Sequence, residues 1–113
     1  MSSIYYKVLE VLEETELTND LTSAPLQCFS YNNIGLQVIW DSLTGTIDAT
    51  IDVEVSIDGL HWDKAMSTIN ITGTSDNDCL NISSLFYPFL RVKITQNGVT
   101  GGTVKVLACL KEW

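Results

Sequence analysis

A single histidine, His61, stands between Leu60 and Trp62, and it bounds the available chemistry. A Ser-His-Asp or Cys-His centre needs an imidazole to take the nucleophile's proton, so any such centre would have to rest on that one residue beside a strand turn. A partly exposed turn residue is the simpler reading. The chain has no Gly-rich phosphate loop, no HExxH and no Cys/His cluster, so nucleotide and zinc chemistry lack their signatures. The expectation is a protein that is not an enzyme.

Carboxylates are the other candidates. Asp48, Asp52 and Glu54 alternate along one face of a strand, and Asp76 and Asp78 share a polar loop. Residues two apart on a strand are roughly 6–7 Å apart and residues four apart roughly 13 Å, so Asp48 and Asp52 cannot jointly grip an ion at calcium's ~2.4 Å ligand distance. Asp76 and Asp78 form the one calcium candidate, set against a solvated polar loop; no cofactor is expected otherwise. Tyr31, Tyr87 and His61 could stack on sugar rings from loops. Cys28, Cys79 and Cys109 are odd in number and lack CxxC spacing, which suits buried reduced thiols.

The elements that carry these residues read as strands. Residues 46–58 alternate without a break, with Ile47, Ala49, Ile51, Val53, Val55 and Ile57 on one face. Leu36, Val38 and Trp40 alternate before them, and the two segments read as a hairpin turned by residues 42–45. Residues 89–95 and 103–111 alternate in the same way around a Gly-rich turn and read as a second hairpin. Asp58-Gly59 marks a turn, residues 73–78 a connecting loop, and residues 4–11 a strand. A helix is the alternative over residues 4–16, because Tyr5, Leu9 and Leu12 keep helical spacing and Glu10, Glu13, Glu14 and Glu16 would suit a solvated helix face. The sum is an all-β chain: a single antiparallel β-sandwich or jelly-roll-like domain over residues 1–113, with residues 1–20 as an N-terminal arm or edge strand. Its expected core is Leu36, Val38, Trp40, Ile47, Ile51, Val53, Val55, Trp62, Leu90, Val92, Ile94, Val104 and Val106.

Charge narrows the partners. Fourteen acidic residues against six basic ones give a formal net charge of -8, which disfavours nucleic acid and anionic membrane. Residues 1–6 lack the basic start and apolar core of a signal peptide, so synthesis in the cytoplasm is expected. Open sheet edges, with few of the usual blunting devices legible, point to protein contacts. Trp113 would be wet unless a neighbouring subunit covers it, and Tyr5 and Tyr6 fit a sheet edge, so these three are the interface candidates.

Leu36-Gln-Val-Ile-Trp40, then Ser56-Ile-Asp-Gly-Leu-His-Trp62, Tyr87-Pro-Phe-Leu-Arg-Val-Lys93 and Gly101-Gly-Thr-Val104 follow one another in an order that resembles small β-sandwich proteins of tailed bacteriophage virions. The resemblance covers residues 20–111. It implies a structural role with no catalytic residue to carry over: a capsid decoration or auxiliary protein, a head-fibre part, or a neck or tail accessory piece. The implied partners are the major capsid protein or other virion proteins, with a homo-oligomer alongside, and the implied location is the virion. The alternative is a carbohydrate-binding module of a tail or host-recognition structure.

Overall fold

The computed structural model describes residues 5–28, 33–82 and 87–112, with side chains from Lys7 to Lys111 within those limits. The described residues form strands and no helix: β1 (Tyr5–Glu16), β2 (Leu21–Thr22), β3 (Leu26–Gln27), β4 (Asn33–Gly45), β5 (Ala49–Ser56), β6 (Asp63–Lys64), β7 (Ile69–Ile71), β8 (Asp76–Ile82), β9 (Phe89–Gln96) and β10 (Val99–Glu112). Sheet A runs β1-β10-β4-β8; sheet B runs β2-β9-β5-β6, with β3 also on β9 and β7 also on β5.

The registers show that these two sheets are one sheet folded over. β10 and β4 pair from Lys111↔Asn33 to Val99↔Gly45, and β9 and β5 resume the same antiparallel pairing from Gln96↔Ala49 to Phe89↔Ser56. The segment β1 to β3 follows β10 and then β9, while the segment β6 to β8 follows β5 and then β4. Four antiparallel arms sharing one crease make the expected β-sandwich of jelly-roll-like order.

Both expected hairpins are corrected by this arrangement. β4 and β5 lie in opposite sheets, as do β9 and β10, so each intervening turn is a corner at the crease. Alternation finds strands and their inward faces, but the partner of β4 is β10, some 60 residues away, and local spacing carries no record of it. The Asp58-Gly59 turn does close a hairpin, between β5 and β6. The expected loop at residues 73–78 is shorter, because Asp76 and Asp78 already belong to β8.

Backbone bonds tie every pair of neighbouring arms at the crease. Leu17 N–H donates to Gly102 C=O at 3.0 Å, Thr46 N–H to Gly98 C=O at 3.0 Å, Asn97 N–H to Asp48 C=O at 2.8 Å, and Leu43 N–H to Thr74 C=O at 2.9 Å. Side chains add to them: Gln96 N–H donates to Asp20 Oδ1, and Ser42 N–H to Ser75 Oγ. The corners need φ values of +85° at Gly45, +91° at Gly98 and +98° at Gly102, where L side chains are strained.

The core lies between the layers. Of the expected residues, Leu36, Val38, Trp40, Ile51, Val53, Val55, Leu90, Val92, Ile94, Val104 and Val106 are buried, joined near the crease by Leu17, Leu43 and Val99. Each is worth roughly 1.5–3 kcal/mol of burial, less for the valines. Two expectations fail. Ile47 sits at a corner and is only half-buried, and Trp62 follows the β5–β6 turn and stacks against Arg91 instead of entering the core.

The edges carry more blunting than the sequence reveals. On edge strand β8, Asp76 and Asp78 stand opposite Trp40 and Val38, so the charges lie on the side of the strand that continues the core face. The register of β1 is broken by bulges between Glu10 and Thr15, and both edges of sheet B are short, interrupted strands. Inward charges, bulges and short edges all discourage strand addition.

The crease is tested by two alanines. Gly45 and Gly73 share a left-handed backbone, at +85° and +77°, but a Cβ on Gly45 would lie 2.4 Å from Gly98 O, while one on Gly73 meets nothing within 4 Å. Gly73→Ala should cost about 1–2 kcal/mol for its dihedral alone. Gly45→Ala should cost clearly more, about 3–5 kcal/mol, with urea denaturation as the measurement.

Candidate functional site: two unlike sheet faces

The outer faces of the two sheets differ in chemistry. On sheet B, Glu54 and Arg91 stand opposite each other in register and pair at 2.7 Å, with the Arg91 guanidinium 4.3 Å from the centre of the Trp62 ring. Asp52 accepts from Thr68 Oγ1 at 2.5 Å and lies 3.6 Å from Lys64. Among the described residues every ion pair lies on sheet B or on its β5–β6 turn. This is a solvated face whose charges satisfy one another.

The outer face of sheet A has an uncharged centre. Its ladder rows read Val8, Cys109, Gly35, Asn81 and then Glu10, Leu107, Gln37, Cys79, with Lys105, Ile39 and Asn77 below. Val8 is 62% exposed. Charges stand toward the rim, at Glu10, Glu14, Asp41, Lys105 and Lys111, and Glu14 Oε1 accepts from Thr103 Oγ1 at 3.4 Å. Gly35 opens a shallow depression of about 350 Å³ between Cys109 and Asn81. The fold does not require that glycine: its φ is not positive, and an added Cβ would meet only ordinary contacts, Asn81 Oδ1 at 3.7 Å and Cys109 O at 3.9 Å.

The thiols separate along the same lines. Cys28 is buried, and desolvation pushes its pKa up to about 11, which keeps it an inert thiol. Cys79 is exposed and Cys109 half-buried, both on the outer face of sheet A, so the expectation of three buried thiols holds for Cys28 alone.

The β5–β6 turn is a rigid projection at the end of β5 away from the crease. Asp58 Oδ1 accepts from Ser56 Oγ and from the N–H groups of Leu60 and His61, while Oδ2 meets His61 Nδ1 at 2.7 Å. Ser56 Oγ accepts from Gly59 N–H at 2.8 Å. Held this way, the turn presents Ile57 and Leu60 at 71% and 78% exposure. His61 is thus a ligand of its own turn.

The other sequence candidates fall apart in space. Asp76 and Asp78 are one strand repeat apart on β8, and Asp76 Oδ1 accepts from Asn77 N–H. Among the described residues, no group of three or more His, Cys, Asp or Glu side chains is placed to hold a metal ion. Tyr5 and Tyr6 lie on edge strand β1, paired with Glu112 and Lys111, and their side chains fall outside the described set, as do Trp113 and Tyr31. Tyr87 is exposed. Sequence reasoning missed the sheet A face; its signal was the uncharged middle of the outward sets of β10 and β4, Leu107 and Cys109 beside Gln37 and Gly35, visible once these strands are known to be neighbours.

No protein-family model matches the chain, and no curated protein sequence matches it. Its fold does have solved counterparts. A crystal structure of the SPBc2 prophage-derived protein YomS is similar with a TM-score of 0.70 and 9% identity, over 99% of this chain and 97% of that one. The infectious bursal disease virus Gx strain structure is similar with a TM-score of 0.58 and 11% identity, over 98% of this chain and 33% of the viral chain. The Gt strain gives 0.56 and 4% identity, over 96% and 32%. At 11% identity or less, these likenesses are of fold, and the chain spans about a third of the two viral chains.

The β5–β6 turn gives this region a titration signature. Backbone N–H groups of His61 and Leu60, then the His61 and Ser56 side chains, hold the Asp58 carboxyl well below the usual carboxylate range. The Asp58 carboxylate in turn raises His61 above its ordinary 6.5. The His61 contribution is complete below about pH 6.5 and fades as pH rises through the raised value; the Asp58 contribution holds above about pH 3.9 and is lost as pH falls through its depressed one. NMR titration should place His61 above 6.5 and return it toward 6.5 in Asp58→Asn. The same midpoint in both proteins would contradict the pairing.

Proposed function

We propose that this chain is a structural protein of a bacteriophage virion, a capsid decoration or auxiliary protein that works through protein contacts and not through catalysis. The observation that carries the reading is the asymmetry of the sandwich: sheet B turns a salt-bridged face outward, while sheet A turns outward a face with an uncharged centre, where Leu107, Val8, Ile39 and two thiols are half-buried or exposed. Charge depletion at the centre with polar groups at the rim is the composition of a protein interface. Likeness of fold to a prophage-derived protein over nearly the whole of both chains supports the same reading. So does the net charge of -8, which disfavours nucleic acid as the partner.

A carbohydrate-binding module is the competing reading, and it needs flat rings free to stack. Tyr87 offers one, but Arg91 already covers a face of Trp62.

The test is mass spectrometry of gradient-purified virions from the phage that encodes the chain. The chain should be present at a fixed stoichiometry to the major capsid protein. Its absence from particles, together with specific sugar retention on a glycan array, would replace the assembly reading with the carbohydrate one.

A further inference from the structure

We infer that the outer face of sheet A is covered by the same face of a second copy, the two meeting about a two-fold axis parallel to the strands between β10 and β4. The inference deepens the assembly reading by naming the occupant of that face, and it rests on three observations.

The first is relief. An axis in that position lays each β10 residue over its own β4 ladder partner in the second copy. Cys109 then faces the hollow at Gly35 of the second copy, Leu107 faces Gln37, and Val8 on the flank faces Asn81. Because the axis is two-fold, each contact is made twice. The other in-plane axis, across the strands, would keep β10 over β10 and β4 over β4, so that bulk meets bulk and hollow meets hollow.

The second observation is charge. In the strand-parallel arrangement Lys105 lies over Ile39, Lys111 over Asn33, Glu10 over Cys79 and Asp41 over Thr103. No like charges are directly opposed in these rows, and Lys105 stands one ladder repeat from Asp41 of the second copy; Glu14, which accepts from Thr103 Oγ1, is the one carboxylate brought beside Asp41. The axis across the strands, drawn through Leu107, would set Glu10 against Glu10.

The third is area. Strands about 4.8 Å apart and residues about 3.4 Å apart give the four-stranded face a footprint of roughly 19 by 30 Å, close to the ~600 Å² per partner at the lower bound of stable interfaces. Both copies carry the same negative charge, so the pairing gains from screening and should tighten with salt.

The experiment is sedimentation velocity on the full chain at about 100 µM, above the micromolar Kd expected of a small interface. The expected mass is twice 12.5 kDa, with the dimer fraction rising as salt goes from about 0.02 M to about 0.5 M. Gly35→Glu and Leu107→Glu should each halve the mass while leaving the circular dichroism unchanged, since an added Cβ at position 35 meets no close contact. Ile57→Lys with Leu60→Lys, on the projecting turn, should leave the dimer intact. A wild-type monomer at that concentration, or a dimer that survives both glutamates, overturns the inference. Either result leaves the virion reading to be judged by the particle analysis.

Discussion

One line of backbone bonds, running from Leu17–Gly102 through Asn97–Asp48 and Thr46–Gly98 to Leu43–Thr74, decides how this chain is built. Every arm crosses it, and the pairing on either side is the same pairing continued. Remove the crease and the sequence still encodes four amphipathic arms, but nothing brings the apolar side of one half against the apolar side of the other. The corners are glycines because two backbones approach there more closely than a Cβ permits. At Gly102 a Cβ would sit 2.6 Å from Ser42 O and from Leu43 Cα.

Folding a sheet over on itself buries one side and exposes the other twice. Each arm therefore contributes two outward faces, one per sheet, and nothing requires them to match. In this chain they diverge. β5 and β9 turn out Asp52, Glu54, Arg91 and Lys93, which answer one another across the ladder or in adjacent pairs. β4 and β10 turn out Gly35, Gln37, Ile39, Leu107 and Cys109, with Asp41, Lys105 and Lys111 beyond them. A chain with a net charge of -8 that keeps charge off the centre of one face keeps that centre usable for contact. The rigid Asp58 turn, with Ile57 and Leu60 exposed, lies away from the crease and stays free for further contacts.

Period-two alternation made the long strands and the centre of the core legible in the sequence, because side-chain direction is a local property; Leu17, Leu43, Ile71 and Val99, at corners and on short strands, lay outside its reach. Partnership is not. Residues 42–45 and 96–102 carry the glycines of a hairpin turn, and the same glycines serve a corner between sheets; only the tie of Thr46 to Gly98, some 50 residues away, distinguishes the two. A clue was present in Gly101-Gly102 and Gly45, glycines embedded in long strand patterns, which mark bulges and close backbone approach. Trp62 was misplaced because its indole suits a core, whereas Arg91 and Glu54 offer a charged platform on the outer face. The candidate site stayed hidden for the same reason as the topology: Gly35 and Cys109 become neighbours only when β4 and β10 pair.

The three thiols provide the most direct measurement of whether the outer face of sheet A is the contact face. Maleimide labelling should be followed at Cys109 and Cys79 in intact particles and in the isolated chain diluted to about 10 nM, below the association expected of a small interface. Cys28, buried and with its pKa raised to about 11, serves as the slow internal reference. Cys109 is expected to react in the dilute chain and to be protected in the particle, with Cys79 following it to the extent that the edge is covered. Equal reactivity of Cys109 in both states would contradict the account.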